Sequence, residues 1–117
     1  MKRCMSFILV LLLLFSLVPF SASAASSMKA SGKIIAYIKE KEGCRLEAYK
    51  LPGEENWTIG YGHSGPDVKQ GQVITEDEAN KYFSDDLKTF EKAVNGYIDK
   101  YNLSFNQSKF DEVLDLP

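Results

Sequence analysis

Apolar and polar positions divide the chain into four stretches of different rhythm. Residues Phe7 to Val18 form an almost unbroken apolar run, preceded by Lys2 and Arg3 and followed by Pro19 and small residues. From Lys33 to Glu42 the apolar positions Ile34, Ile35 and Ile38 recur at helical spacing, with Lys39, Glu40 and Lys41 expected in solvent. Leu46 to Tyr49 and Trp57 to Gly62 read as short strands across a turn at Pro52-Gly53-Glu54-Glu55-Asn56. Val68 to Val73 reads as a third short strand or a loop. From Thr75 onward the helical rhythm returns. Thr75 and Glu78 have the spacing of a capping box, and Ala79, Tyr82, Phe83, Leu87, Phe90, Val94 and Tyr97 form a stripe expected to face a core. Asn102 to Phe105 breaks the pattern, and a last helical fragment carries Phe110, Val113 and Leu114. The order helix, strands, long helix, helix predicts an α+β domain.

The first stretch has the form of an export signal. Its basic start, apolar run and Ala22-Ser23-Ala24 ending fit a leader cleaved after Ala24. The run is short for a membrane span, which needs roughly 20 apolar residues, so no stable membrane insertion is expected after cleavage. The expected division is a signal peptide over 1–24, a flexible N-terminus over 25–32 and a domain over 33–117. Removal of Lys2 and Arg3 reduces the 14 basic side chains to 12 against 16 acidic, a net charge of −4. That balance, with no basic patch, gives no reason to expect a nucleic-acid partner. Cys4 would leave with the leader, so Cys44 has no intrachain partner and disulfide stapling is not expected. Cys44 is expected to be a small buried residue on the first strand, with a redox switch beside Glu42 as the alternative. One histidine and one remaining cysteine show no metal-ligand spacing.

Candidate chemistry concentrates in Glu42 to His63, EGCRLEAYKLPGEENWTIGYGH. Gly43 is a natural residue to end the first helix. Glu42 then sits at a helix C-terminus, where the dipole disfavours an ionised carboxylate. Part-burial in a cleft would add a desolvation effect in the same direction. A carboxylic acid held protonated can donate its proton to a leaving oxygen, as glycoside cleavage requires.

This stretch resembles the phage-type lysozymes, or endolysins, of glycoside hydrolase family 24. The matching residues are Glu42-Gly43, Leu46, Ala48-Tyr49 and Thr58-Ile59-Gly60-Tyr61-Gly62-His63. The match continues through Ser64-Gly65-Pro66-Asp67-Val68, Ile74-Thr75-Glu76-Asp77-Glu78-Ala79 and Asn106 to Asp111. The resemblance covers about residues 33 to 116. It implies a lysozyme-like fold: an N-terminal helix, a small antiparallel sheet, a long connecting helix and only the start of a second, helical lobe. It implies hydrolysis of the β-1,4 bond between N-acetylmuramic acid and N-acetylglucosamine in bacterial peptidoglycan, with no cofactor. Carried over residue by residue, Glu42 is the general acid and Thr58 positions the attacking water. His63 forms a structural ion pair with Asp86 behind the cleft. Tyr49 and Trp57 either stack on sugar rings or pack in the core.

Two departures qualify the resemblance. The family's second catalytic group, an aspartate or cysteine, falls here on Leu51. Glu54 or Glu55, in a loop one residue longer than the family pattern, could swing inward to replace it or remain solvated turn residues. The chain also reaches Leu116-Pro117 where the second lobe is expected to begin. The alternatives are therefore a catalytically inactive relative that binds peptidoglycan, or one that needs a second polypeptide to complete the cleft.

Overall fold

The computed structural model describes residues 24–116. The proposed leader therefore lies outside the described residues, apart from Ala24.

Helix α1 spans Gly32–Glu42. Ser31 caps it by accepting the Ile34 N–H, and Gly43, at φ 66°, ends it while donating to the Lys39 carbonyl. The positive φ is one that a Cβ would oppose, which is why a glycine stands there. None of the residues of α1 is buried. Lys39, expected in solvent, is half-buried: its Nζ donates to Asn80 Oδ1 at 2.8 Å and lies 5.1 Å from the ring centres of both Tyr61 and Phe83. A lysine stem can cover apolar surface while its ammonium stays hydrogen-bonded.

Three strands form one antiparallel sheet in the order β1-β2-β3: β1 Arg45–Tyr49, β2 Trp57–Gly60 and β3 His63–Gly65. Arg45 faces Gly60 and Tyr49 faces Thr58, so β1 carries a bulge against β2. The expected strand over Trp57 to Gly62 stops at Gly60. Gly60 at φ 65° and Gly62 at φ 86° turn the chain back so that Ile59 pairs with His63. The third strand is thus His63–Gly65. Residues 68–73 form a loop that returns to the other edge of β1, where Val73 bridges Glu47, Ala48 N–H donates to the Gln72 carbonyl and Ile74 N–H to the Leu46 carbonyl.

Helix α2 spans Glu76–Lys100. Thr75 and Glu78 form both halves of the capping box, and Glu76, Asp77 and Glu78 place negative charge at the positive end of the helix. Helix α3 spans Gln107–Leu114, with Asn106 as its cap. One cluster of Ala48, Ile59, Val68, Ile74 and Ala79, with Trp57, Tyr61 and Tyr82 against it, joins the sheet to the start of α2. A Cβ on Gly60 would lie 3.4 Å from Ala79 Cβ, so β2 and α2 approach through two of the smallest residues. Further along, Ile98 of α2 and Phe110 of α3 are buried. The stripe expected to face a core does so only in part: Phe90 and Tyr97 are 64% and 60% exposed.

Residues 24–31 have no regular secondary structure, yet their backbone lies against helical side chains. Ser26 N–H donates to Asp99, Met28 N–H to Asn95 and Ala30 N–H to Glu91. Alternate amides of the extended segment thus meet residues four apart on α2, because two extended residues and one helical turn have similar rise. Ser31 N–H and Oγ both donate to Asp111 of α3.

Candidate active site

Glu42 stands at the end of α1 on the rim of a depression of about 380 Å³. Tyr61, Gly62 and Asp86 share that rim, and the floor is apolar, with Ile38, Phe83, Leu87 and Phe90 among its side chains. The hairpin brings Gly62 to the carboxylate: a Cβ at Gly62 would lie 3.2 Å from Glu42 Oε2. Glu42 itself is exposed, not part-buried as expected from sequence. Burial depends on what packs across the helix end, and no described element covers it.

Thr58 lies on β2, 8% exposed, paired with Tyr49 on one side and Ser64 on the other. Strand alternation sets it on the face opposite Ile59. Tyr49 is half-buried with the Arg45 guanidinium 4.0 Å from its ring centre, and Trp57 packs against the core cluster. Leu51 is 54% exposed. Its N–H donates to Glu54 Oε2 at 3.1 Å, and Glu54 N–H donates back to its carbonyl at 3.1 Å. The Glu54 carboxylate is therefore turned onto its own loop, while Glu55 is exposed. Cys44 is exposed in the link between α1 and β1, which corrects the expectation of a buried strand residue. The chain leaves Gly43 before pairing begins at Arg45, so no sheet neighbour covers the thiol. Beside it, burial first, and then the Cys44 and Glu76 side chains, push the Tyr61 phenol above its ordinary value.

His63 Nδ1 lies 2.8 Å from Asp86 Oδ2, the partner expected from sequence. Its other nitrogen, Nε2, lies 2.8 Å from Asp67 Oδ2. The ring stacks on Tyr82 at 4.3 Å between centres. Burial opposes charging of His63, but the hydrogen bonds to Asp67 and Asp86 outweigh it and raise its pKa above the ordinary value of 6.5. The His63 contact holds Asp67 below its ordinary 3.8. Asp67, part of the matching run Ser64 to Val68, is a second partner that sequence reasoning does not assign to His63, because Gly65-Pro66 intervenes. The available signal was its spacing four residues after the histidine, across a tight turn. Among the described residues no cluster of His, Cys, Asp and Glu is arranged to hold a metal ion.

The family model described as phage lysozyme matches residues 39–116. The endolysin of Bacillus phage PZA is 41% identical over 88 residues, which is 74% of this chain and 33% of that protein. The endolysin of Lactococcus phage c2 is 37% identical over 91 residues, 76% of this chain and 38% of that protein. The chain thus spans about a third of the length of these curated relatives. Among solved structures, the endolysin from Escherichia coli O157:H7 phage FAHEc1 superimposes with a TM-score of 0.65 at 35% identity, covering 78% of this chain and 57% of that one. The muramidase domain of SpmX from Asticaccaulis excentricus gives 0.63 at 31% identity, covering 75% and 56%.

Proposed function

The chain belongs to the phage lysozyme family and has its α+β fold, and we propose on that premise that it is a peptidoglycan hydrolase. The bond cleaved is the β-1,4 link between N-acetylmuramic acid and N-acetylglucosamine. Glu42 is the general acid that protonates the leaving oxygen, and Thr58 orients the attacking water. Export by the N-terminal leader delivers the protein to the cell wall. The observation that carries this reading is the meeting of Glu42, at the end of α1, with Gly62 of the glycine-rich hairpin on the rim of the depression. General acid catalysis of this kind is worth about 10²–10⁴ in rate. Glu42→Gln, which keeps shape and loses the proton, is therefore expected to lower clearing of purified bacterial walls in a zymogram by about that factor. Clearing equal to the unaltered chain, or none from either, would sink the proposal.

A second reading, a binder of peptidoglycan that does not turn over or that acts with a second polypeptide, is favoured by one observation. The Glu54 carboxylate is committed to the Leu51 N–H, at the place where the resemblance puts the family's second catalytic group. Co-sedimentation with walls that are not cleared would support binding without turnover. Clearing that appears only on adding another polypeptide would support the partnered form.

A further inference from the structure

His63 is held by two carboxylates, one on each ring nitrogen, at 2.8 Å each. A neutral imidazole has one N–H and one lone pair, and an ionised carboxylate only accepts. Both contacts are satisfied together only when the ring carries two N–H groups and a positive charge. A neutral ring would turn a lone pair toward one of the carboxylates.

The three residues come from different parts of the fold. His63 opens β3, Asp67 follows it in the loop, and Asp86 lies on α2. Gly65 makes the arrangement sterically possible: a Cβ there would lie 2.6 Å from Asp67 Oδ1, so the carboxylate occupies the space a side chain would need. Gly65 is absent from the positive-φ residues, so this glycine is required by the close approach of Asp67 and not by its backbone angle. The residue before His63 is Gly62, which faces the Glu42 carboxylate.

We propose that Asp67 is a positioning residue: with Asp86 it clamps His63 as an imidazolium, and the clamp fixes Gly62 against Glu42. The catalytic side of the inference rests on the reading of Glu42 as general acid. Loss of the proton from His63 opens the clamp at Asp67, whose side chain is 54% exposed against 40% for Asp86. The Gly62 wall then loosens, and activity falls on the alkaline side without any titration of Glu42. The charged and titratable groups around the ring are Asp67 with Lys69 beyond it in the loop, and Asp86 and Tyr82 from α2. On the β2 side the partner is the apolar Ile59, and Glu42 of α1 lies across Gly62.

The test follows His63 and the Gly62 amide by NMR as a function of pH in the full chain, in Asp67→Asn and in Gly65→Ala, with wall clearing measured over the same range. In the unaltered chain the Gly62 signal is expected to titrate with the His63 midpoint. Both variants, one removing the charge and one evicting it, are expected to lower that midpoint and carry the Gly62 signal and the alkaline limb of clearing down with it. Well above the midpoint the clamped fraction, and with it clearing, falls about tenfold for each unit of that displacement. A His63 midpoint unmoved in Asp67→Asn would overturn the proposal. So would a Gly62 signal that ignores the His63 titration, or an alkaline limb that stays in place while His63 moves. Gly62 tracking His63 in a chain that clears no walls at any pH would support the clamp and overturn the general-acid reading instead.

Discussion

Thr58 is the residue at which the proposed chemistry can be separated from the fold. Valine at this position keeps the β-branched shape that suits a strand and deletes the hydroxyl. Thr58→Val is expected to lower wall clearing by at least about tenfold, roughly 1.4 kcal/mol in the barrier. Near-UV circular dichroism should remain that of the unaltered protein. Loss of both signals together would mean that the hydroxyl serves only the fold. Residue-scale legibility was uneven for a physical reason. Gly43 marks the end of α1, so the place of Glu42 could be read from local sequence. Its exposure could not, because burial is set by whatever packs across the helix end. Asp86 could be counted along the family pattern, whereas Asp67 reaches His63 only because the chain folds back through Gly65 and Pro66.

At the scale of elements, local signals predicted what local interactions build. The capping box of α2 is a contact between residues three apart and was legible as such. Thr75→Ala removes the acceptor for the Glu78 N–H and is expected to cost about 1 kcal/mol. The measurement is the urea midpoint, and an unchanged midpoint would show that the helix start is held by its contacts with the sheet instead. Of the two readings open for Val68 to Val73, strand or loop, the loop is the one found, and the third strand is His63–Gly65, whose three residues carry no alternation of their own. It exists by pairing with β2, after two glycines in positive φ reverse the chain. The α2 stripe differs from its expected burial for the opposite reason. Helical periodicity reports which residues share a face, and the presence of a neighbour along that face is a tertiary fact. Phe90 and Tyr97 keep the period and remain exposed.

At the scale of the whole molecule, stability should depend on pH from two directions. His63 has its pKa raised by folding, so its contribution is complete below about 6.5 and is lost as pH rises through the raised value. Asp67, held low mainly by His63, contributes above about 3.8 and loses that contribution as pH falls through its lowered value. Asp99 and Asp111 act in the same sense as Asp67. The Ser26 contact holds Asp99 low, and at Asp111 the desolvation that opposes ionisation is outweighed by Ser31 and Gln107. The urea midpoint is thus expected to be highest between about pH 4 and 6.5, with shallow limbs because exposed carboxylates are screened. A midpoint that kept rising beyond pH 8 would contradict this account. The segment ahead of α1 adds an order of events. Its last contact joins Ser31 to Asp111, 80 residues away. Loop closure over that distance must precede any return from the contact. During synthesis, Ser26, Met28 and Ala30 can seat on α2 as soon as that helix has emerged, but Ser31, the residue that caps α1, gains its two contacts only once Asp111 of α3 has followed.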